Sequence, residues 1–354
     1  MPKIICKRTT KIFLTLLLLF SITFTLTPMP SKASEPTYTL ATDNDFEFIE
    51  GLFGMGDVEY QGKKGYFKYV GSNDYVEVPH VIKGVNVTSY SEMFEGSTVK
   101  GVKSTNKNVT RMVSMFSFIN TDELNVEELD TSNVTIINNM FFKAQINKIK
   151  GINSWDTRNV ENMYNVFNGI KINELNLNNW DISKVKNTDS MFNDAEINSL
   201  QIDKWNTSSI VDTSYMFSDS RIPVIDLSGW DTSNIEDTDW MFEFCQATTG
   251  YARTQEDADK LNNSEGKPST LNFILKKIPS ITLNSYPTEW TNQNITVTAS
   301  TDLGTLNQDS YTFTENGTFK FIVTGMGIST TEKEVIITNI DKEKPKIKIT
   351  IGEN

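Results

Sequence analysis

One histidine, His80, serves a chain of 354 residues. Ser-His-Asp or Cys-His catalysis therefore has a single candidate base, with no Ser or Cys partner pattern beside it. No Cys or His cluster has zinc spacing, and neither a P-loop nor a Gly-x-Gly-x-x-Gly phosphate cradle is present. Cysteine is almost absent too: Cys6 precedes an apolar N-terminal run, and Cys245 is the only other one. Positive charge is in deficit, with 33 Lys and Arg against 45 Asp and Glu and a net charge of −12. That balance disfavours nucleic acid and anionic membrane surfaces as partners. Paired carboxylates for glycoside cleavage are not excluded by so acidic a composition.

The N-terminus carries Lys3, Lys7, Arg8 and Lys11, an apolar run from Ile12 to Thr27, and the small-residue site Ser31-Lys32-Ala33. This is the layout of a secretory signal rather than a membrane span. Cleavage after Ala33 would remove five basic residues and no acidic one, taking the charge to −17. Cys6 would leave with it. An exported chain with Cys245 alone has no internal disulfide and is held by apolar burial, a habit that suits a Gram-positive exoprotein.

What the chain has in quantity is repetition. An apolar residue stands twelve positions ahead of a Phe in Ile82/Phe94, Leu129/Phe141, Trp155/Phe167, Trp180/Phe192, Trp205/Phe217 and Trp230/Phe242. From Trp155 to Trp230 the step is 25 residues each time, a period that belongs to a solenoid of stacked units. Earlier steps are uneven: Phe94 to Phe116 is 22 and Phe141 to Phe167 is 26. Apolar residues two apart (Leu175/Leu177, Leu200/Ile202, Ile225/Leu227) predict a short strand in each unit. Val160, Met163 and Phe167 stand at i, i+3 and i+7, which predicts a short helix. The expected unit is strand, turn, helix and return.

Between strand and helix stand Asp130-Thr131-Ser132-Asn133, Asp156-Thr157-Arg158-Asn159, Asp181-Ile182-Ser183-Lys184, Asn206-Thr207-Ser208-Ser209 and Asp231-Thr232-Ser233-Asn234. These residue types suit helix N-caps worth ~1 kcal/mol each. A calcium ion bridging Asp130, Asp156 and Asp181 is the alternative, but the dense oxygen pattern of a calcium loop is missing. Trp155, Trp180, Trp205 and Trp230 hold fixed offsets from core positions. They are expected to be structural core, together with Phe141, Phe167, Phe192, Phe217 and Phe242, rather than an exposed aromatic ladder for a ligand. The outward strand positions Asn125, Glu127, Asn176, Asn178, Gln201, Asp203, Asp226 and Ser228 form the candidate ligand face. That set is polar and acidic, and a merely solvated sheet is the competing reading. No catalytic residue, metal ligand or cofactor site is expected.

The recurring Trp-Asp-Thr-Ser-Asn-Val … Met-Phe wording over residues 82–246 resembles the BspA-type leucine-rich-repeat surface proteins of Gram-positive bacteria and mycoplasmas. Tyr66-Phe67-Lys68-Tyr69-Val70-Gly71 resembles that family's opening segment. Thr249-Gly250-Tyr251-Ala252-Arg253-Thr254 resembles its closing one. The resemblance implies an extracellular protein, secreted or held at the bacterial surface, that mediates adhesion or protein–protein contact.

From about Ile278 the chain alternates Thr, Val and Ile. Strands are predicted at 294–300, 311–315, 318–324 and 334–340, with Asn316-Gly317 as a hairpin turn and Trp290 and Tyr311 in the core. This segment resembles bacterial Ig-like spacers. Pro345-Lys346-Ile347 repeats the opening Pro279-Ser280-Ile281 after 66 residues.

The sequence thus predicts an α/β leucine-rich-repeat solenoid of about 25-residue repeats with a C-terminal all-β Ig-like sandwich. Its expected divisions are a signal peptide (1–33), an N-terminal cap (34–81), repeats (82–246), a C-terminal cap (247–277), an Ig-like domain (278–341) and the start of a second Ig-like repeat (342–354). The expected partner is a host or bacterial extracellular protein or glycan, with no nucleic acid and no membrane insertion after signal cleavage. A structural stalk and a surface glycan hydrolase are the alternatives.

Overall fold

A computed structural model describes residues 35–51, 56–324 and 330–343. The signal segment and residues 344–354 of the expected second Ig-like repeat lie outside them. The chain divides into Met1–Thr37 and Tyr38–Asn354, and every strand below belongs to the second unit. The N-terminal cap contains β1 (Thr39–Leu40), β2 (Phe46–Glu50), β3 (Val58–Tyr60), β4 (Lys63–Tyr69) and β5 (Tyr75–Glu77), and the pair β6 (Val81–Ile82) and β7 (Val85–Asn86) leads from it into the repeats. Strands β2, β4 and β3 make a small antiparallel sheet.

The repeats contribute one strand per turn of the solenoid: β8 (Gly101–Lys103), β9 (Asn120–Asn125), β10 (Gln145–Lys150), β11 (Lys171–Asn176), β12 (Glu196–Gln201) and β13 (Val224–Leu227). A parallel sheet runs β1-β5-β8-β9-β10-β11-β12. A bridge between Glu196 and Arg221 leads on toward β13. The solenoid then continues through β14 (Thr249–Ala252), helix α1 (Gln255–Asn262) and β15 (Asn272–Leu275), with β13, β14 and β15 again parallel.

The expected α/β leucine-rich-repeat unit is overturned here. Among the described residues α1 is the one α-helix, and it lies outside the repeats. The molecule is a β-solenoid. Around each Met-Phe pair the chain takes two tight turns, and two residues per coil are left-handed. Asn165, Ser190, Tyr215 and Trp240 precede their Phe by two, and Gly169, Asp194, Asp219 and Phe244 follow it by two; all have φ between 53° and 69°. A right-handed helix cannot pass through such residues. The amides also go elsewhere than to the i−4 carbonyl. Asn165, Phe167 and Gly169 donate to Asp189, Met191 and Asn193 of the next coil at 3.1, 2.9 and 2.7 Å. The amides between them close local turns, Asn168 to Asn165 and Ile170 to Phe167, at 3.2 and 3.1 Å. The i, i+3, i+7 spacing is therefore the signature of this double turn.

The inter-coil bonds of this segment all run one way, from Tyr90 donating to Arg111 through to Asp219 donating to Glu243. Inside, Phe94, Phe116, Phe141, Phe167, Phe192, Phe217 and Phe242 stack with centroids 5.4–5.9 Å apart. Tyr69 of the N-terminal cap meets Phe94 at one end, and Phe273 of β15 meets Phe242 at the other. The caps thereby cover a column of apolar rings that would otherwise be exposed at both ends.

The C-terminal segment holds β16 (Ile281–Leu283), β17 (Ile295–Thr301), β18 (Thr305–Leu306), β19 (Ser310–Phe313), β20 (Gly317–Thr324) and β21 (Thr331–Ile337). They form two antiparallel sheets of three, β16-β17-β19 and β18-β20-β21, around a small core that includes Val297, Phe321 and Val335. An Ig-like sandwich, with its seven or more strands, is not what these residues build. The expected hairpin also fails. β19 pairs with β17, whereas β20 pairs with β18 and β21. A two-residue Asn-Gly hairpin needs positive φ at both residues, and neither Asn316 nor Gly317 has it. Asn316 instead ties the connection to Ile340 with two hydrogen bonds of 2.8 and 3.1 Å. Trp290 is 72% exposed, contrary to its assignment to the core, because it lies between strands rather than on one. Tyr311 is partly buried and stacks on Phe319.

Candidate functional site

The Asp row predicted to cap helices has no repeat helix to cap. Each side chain turns back on its own backbone instead: Asp130, Asp156, Asp181, Asn206 and Asp231 accept the amides of Ser132, Arg158, Ser183, Ser208 and Ser233 at 2.9–3.3 Å. These are Asx-turns. The Ser183 hydroxyl and amide hold the Asp181 carboxyl below its ordinary value. The neighbouring threonines join coil to coil: Thr157 donates to the Asp181 carbonyl and Thr207 to that of Asp231, both at 3.0 Å. Among the described residues no group of His, Cys, Asp or Glu is placed to hold a metal ion.

Trp155, Trp180, Trp205 and Trp230 are buried, as are Phe141, Phe167, Phe192, Phe217 and Phe242. Each indole N–H donates to a carbonyl of the preceding coil. Trp155 reaches Val126, Trp180 reaches Ile152, Trp205 reaches Leu177 and Trp230 reaches Ile202, at 2.8–3.3 Å. The ring thus fills the core while its one polar atom is satisfied.

The outward strand set is unevenly available. Asn125 is buried, Glu127 is exposed, and Asn176, Asn178, Gln201, Asp203, Asp226 and Ser228 are half-buried. Asn125, Asn176 and Asp226 are turn formers that accept the amides of Glu127, Asn178 and Ser228 at 3.0–3.1 Å. Asn178 bonds Asp203 across the coils at 2.9 Å, and Lys276 pairs with Asp226. Gln201 makes a 3.4 Å contact with Glu174. The face is also less acidic than that set, because neighbouring cations neutralise it: Lys148 with Glu123, Lys150 with Glu127, and Lys171 and Arg221 with Glu196, at 2.7–3.6 Å.

Pairing along this face is uneven. β9 and β10 share five residue pairs, as do β11 and β12, whereas β8 and β9 share only Gly101 with Asn125, β10 and β11 only Gln145 with Lys171, and β12 and β13 no ladder pair. Between β10 and β11 the ladder stops beyond Gln145 and Lys171, and the coil of β10 is the one with the 26-residue step. Ile152 accepts from Trp180 as Leu177 accepts from Trp205, so Gly151 is the extra residue. Its φ of 87° is left-handed, and a Cβ there would lie 2.6 Å from the Glu127 Cα. Gly151 thus follows β10 and opens a short 3-10 turn, Ile152–Ser154.

A groove of about 390 Å³ lies here, lined by Asn147, Lys148, Ile149, Gly151, Asn173 and Glu174, among others. A second hollow of about 520 Å³ adjoins it over Asn147, Lys171, Asn173, Glu196 and Asn198. Of the predicted face only Asn176 reaches this groove. The others named here went unread, although the 26-residue step and Gly151 signalled the place.

Fold and face together define a class: a repeat solenoid whose long polar sheet is compatible with a non-catalytic binding or structural role. A family described as "Mycoplasma protein of unknown function, DUF285" matches residues 88–172 and 143–254. The repeats are therefore similar to those of that family. No curated protein and no solved structure matches the chain. No helix among the described residues is long and apolar enough to cross a membrane.

Proposed function

We propose that this is an exported surface protein that binds a host or bacterial extracellular protein or glycan through the strand face of the solenoid, without catalysis. The observation that carries the reading is the groove and its neighbouring hollow, concave places on a long polar sheet. Such a face recognises by many small contacts rather than by one deep pocket. Adhesion would follow if the partner sits on another cell or in a matrix.

The test is binding of the purified protein to a panel of matrix proteins, glycans and whole bacteria. Glu174→Arg and Gln201→Arg reverse or add charge on the face without touching the core. Saturable binding to one class, lost in both variants, supports the reading. Binding that both variants retain, or no binding by the folded protein, would favour a stalk that presents another module.

A further inference from the structure

We propose that the double-turn side of the last two repeat coils docks a Lys- or Arg-rich segment of a partner protein. This surface is separate from the strand face and goes beyond the reading above. Three aromatic residues mark it: Tyr215 is 40% exposed, Phe244 is 69% exposed and Trp240 is half-buried. All three stand at left-handed positions, where Gly or Asn would cost less. Earlier coils place Asn139, Asn165 and Gly169 at the equivalent positions. The Tyr215 and Phe244 rings do not fill the core, so packing does not account for them. Backbone bonds hold the two coils side by side: Tyr215 donates to Asp239 at 3.1 Å and Asp219 to Glu243 at 2.7 Å. Trp240 is seated against Gly266, where a Cβ would stand 2.6 Å from Cε3 of the indole.

The charges around the rings select the partner. Residues 212–219 and 237–244 carry Asp212, Asp219, Asp237, Asp239 and Glu243 and no Lys or Arg. Among the described residues the ion pairs of the late coils use Asp226, Asp231 and Asp257 instead. Asp212 and Asp237 are bridge partners on adjacent coils. Burial and the charges of these two raise the Asp189 carboxyl above its ordinary value. Carboxylates so placed repel one another, and a cationic segment laid across them relieves the repulsion. An ammonium or guanidinium group is also drawn to the face of an exposed ring. Among the described residues no group of Asp and Glu is placed to hold a metal ion in its stead. A neutral sugar would stack on the rings but leave the charge unmatched.

The experiment is an amide-resolved NMR titration of the purified protein with tetra-arginine and, separately, with cellobiose. The expected result is saturable shifts with tetra-arginine, centred on residues 212–219 and 237–244 and on the Trp240 indole N–H, and weakened by salt. Tyr215→Asn with Phe244→Gly gives these positions the residue types of earlier coils, and it is expected to lower the affinity by about tenfold. Asp219→Asn with Asp239→Asn keeps the rings and is expected to lower it by a similar factor. Unchanged affinity in either folded variant would overturn the proposal, since rings and charges are both required. Saturable cellobiose shifts at the same residues would make the rings a sugar platform and overturn it as well. So would the absence of shifts with tetra-arginine. None of these results bears on panel binding lost in Gln201→Arg, so the strand-face reading stands or falls separately.

Discussion

Asp257 is the residue on which the C-terminal cap is expected to depend most. Its carboxylate is buried. Oδ1 accepts the Thr232 amide and hydroxyl at 3.0 and 2.7 Å, and Oδ2 accepts the Thr254 hydroxyl and Arg253 Nε at 2.6 and 3.1 Å. One side chain thus joins the last full coil to the start of α1. Burial pushes its pKa up, but the Thr254, Thr232 and Arg253 bonds more than offset this and bring it down to about 2. Against an unfolded value of ~3.9, the depression corresponds to roughly 2.5 kcal/mol.

Because the folded pKa is the lower one, that stability is present above about pH 4–5 and fades as pH falls toward 2. Asp257→Ala removes the charge and strands four donors, for which a loss of about 3–5 kcal/mol at pH 7 is expected. Urea unfolding of both proteins from pH 7 to pH 2 measures it. The gap between them should narrow by roughly 2–3 kcal/mol below pH 5. A gap under about 1 kcal/mol at pH 7, or one that does not change with pH, would refute the reasoning.

Two further substitutions test the coil itself. Ser114 is left-handed, with φ of 54°. Ser114→Gly should stabilise by up to ~1 kcal/mol, since the left-handed cost of ~1–2 outweighs the flexibility of Gly, and Ser114→Val should destabilise by about as much or more. A helix at that place would give the opposite sign for glycine, so thermal unfolding of the pair decides between the two backbones. Trp205→Ala, which removes a buried ring and its bond to Leu177, is expected to cost ~3–5 kcal/mol. A loss under 1 kcal/mol in urea unfolding would show that the ring is not part of the core.

Repetition was legible in the sequence because the fixed step from Trp155 to Trp230 needs only counting. The backbone between the strands was not. Val160, Met163 and Phe167 point inward from a double turn at the same spacing as from a helix, and side-chain period does not report φ. Weak signals were present in Gly96 and Gly169, and in Asn139 and Asn165, residue types that tolerate the left-handed region. Tyr215 and Trp240 carried no such signal, since stacking on neighbouring coils imposes their conformation. Asn316-Gly317 misled for the reverse reason. A strong local turn preference yielded to the pairing of β19 and β20 with different sheets. The groove was half legible: the odd step can be counted, but where pairing stops is not displayed by a sequence.

The one-way bonds of the turn segment give that side of the solenoid an electrical polarity. There each coil shows acceptors toward its predecessor and donors toward its successor, so the peptide dipoles of the segment add along the axis with the positive pole at the C-terminal end. This reverses the sense of an α-helix. The ends are therefore not interchangeable: the first coil needs a donor, which Tyr69 supplies to Met93, and the last needs an acceptor, which Glu265 supplies to Trp240. Asp212, Asp219, Asp237, Asp239 and Glu243 on the late turns lie toward the positive pole, which favours them, whereas Glu92 and Glu95 on the first turn lie at the negative pole, which does not. A late coil moved to the front would carry its acids to the unfavourable end.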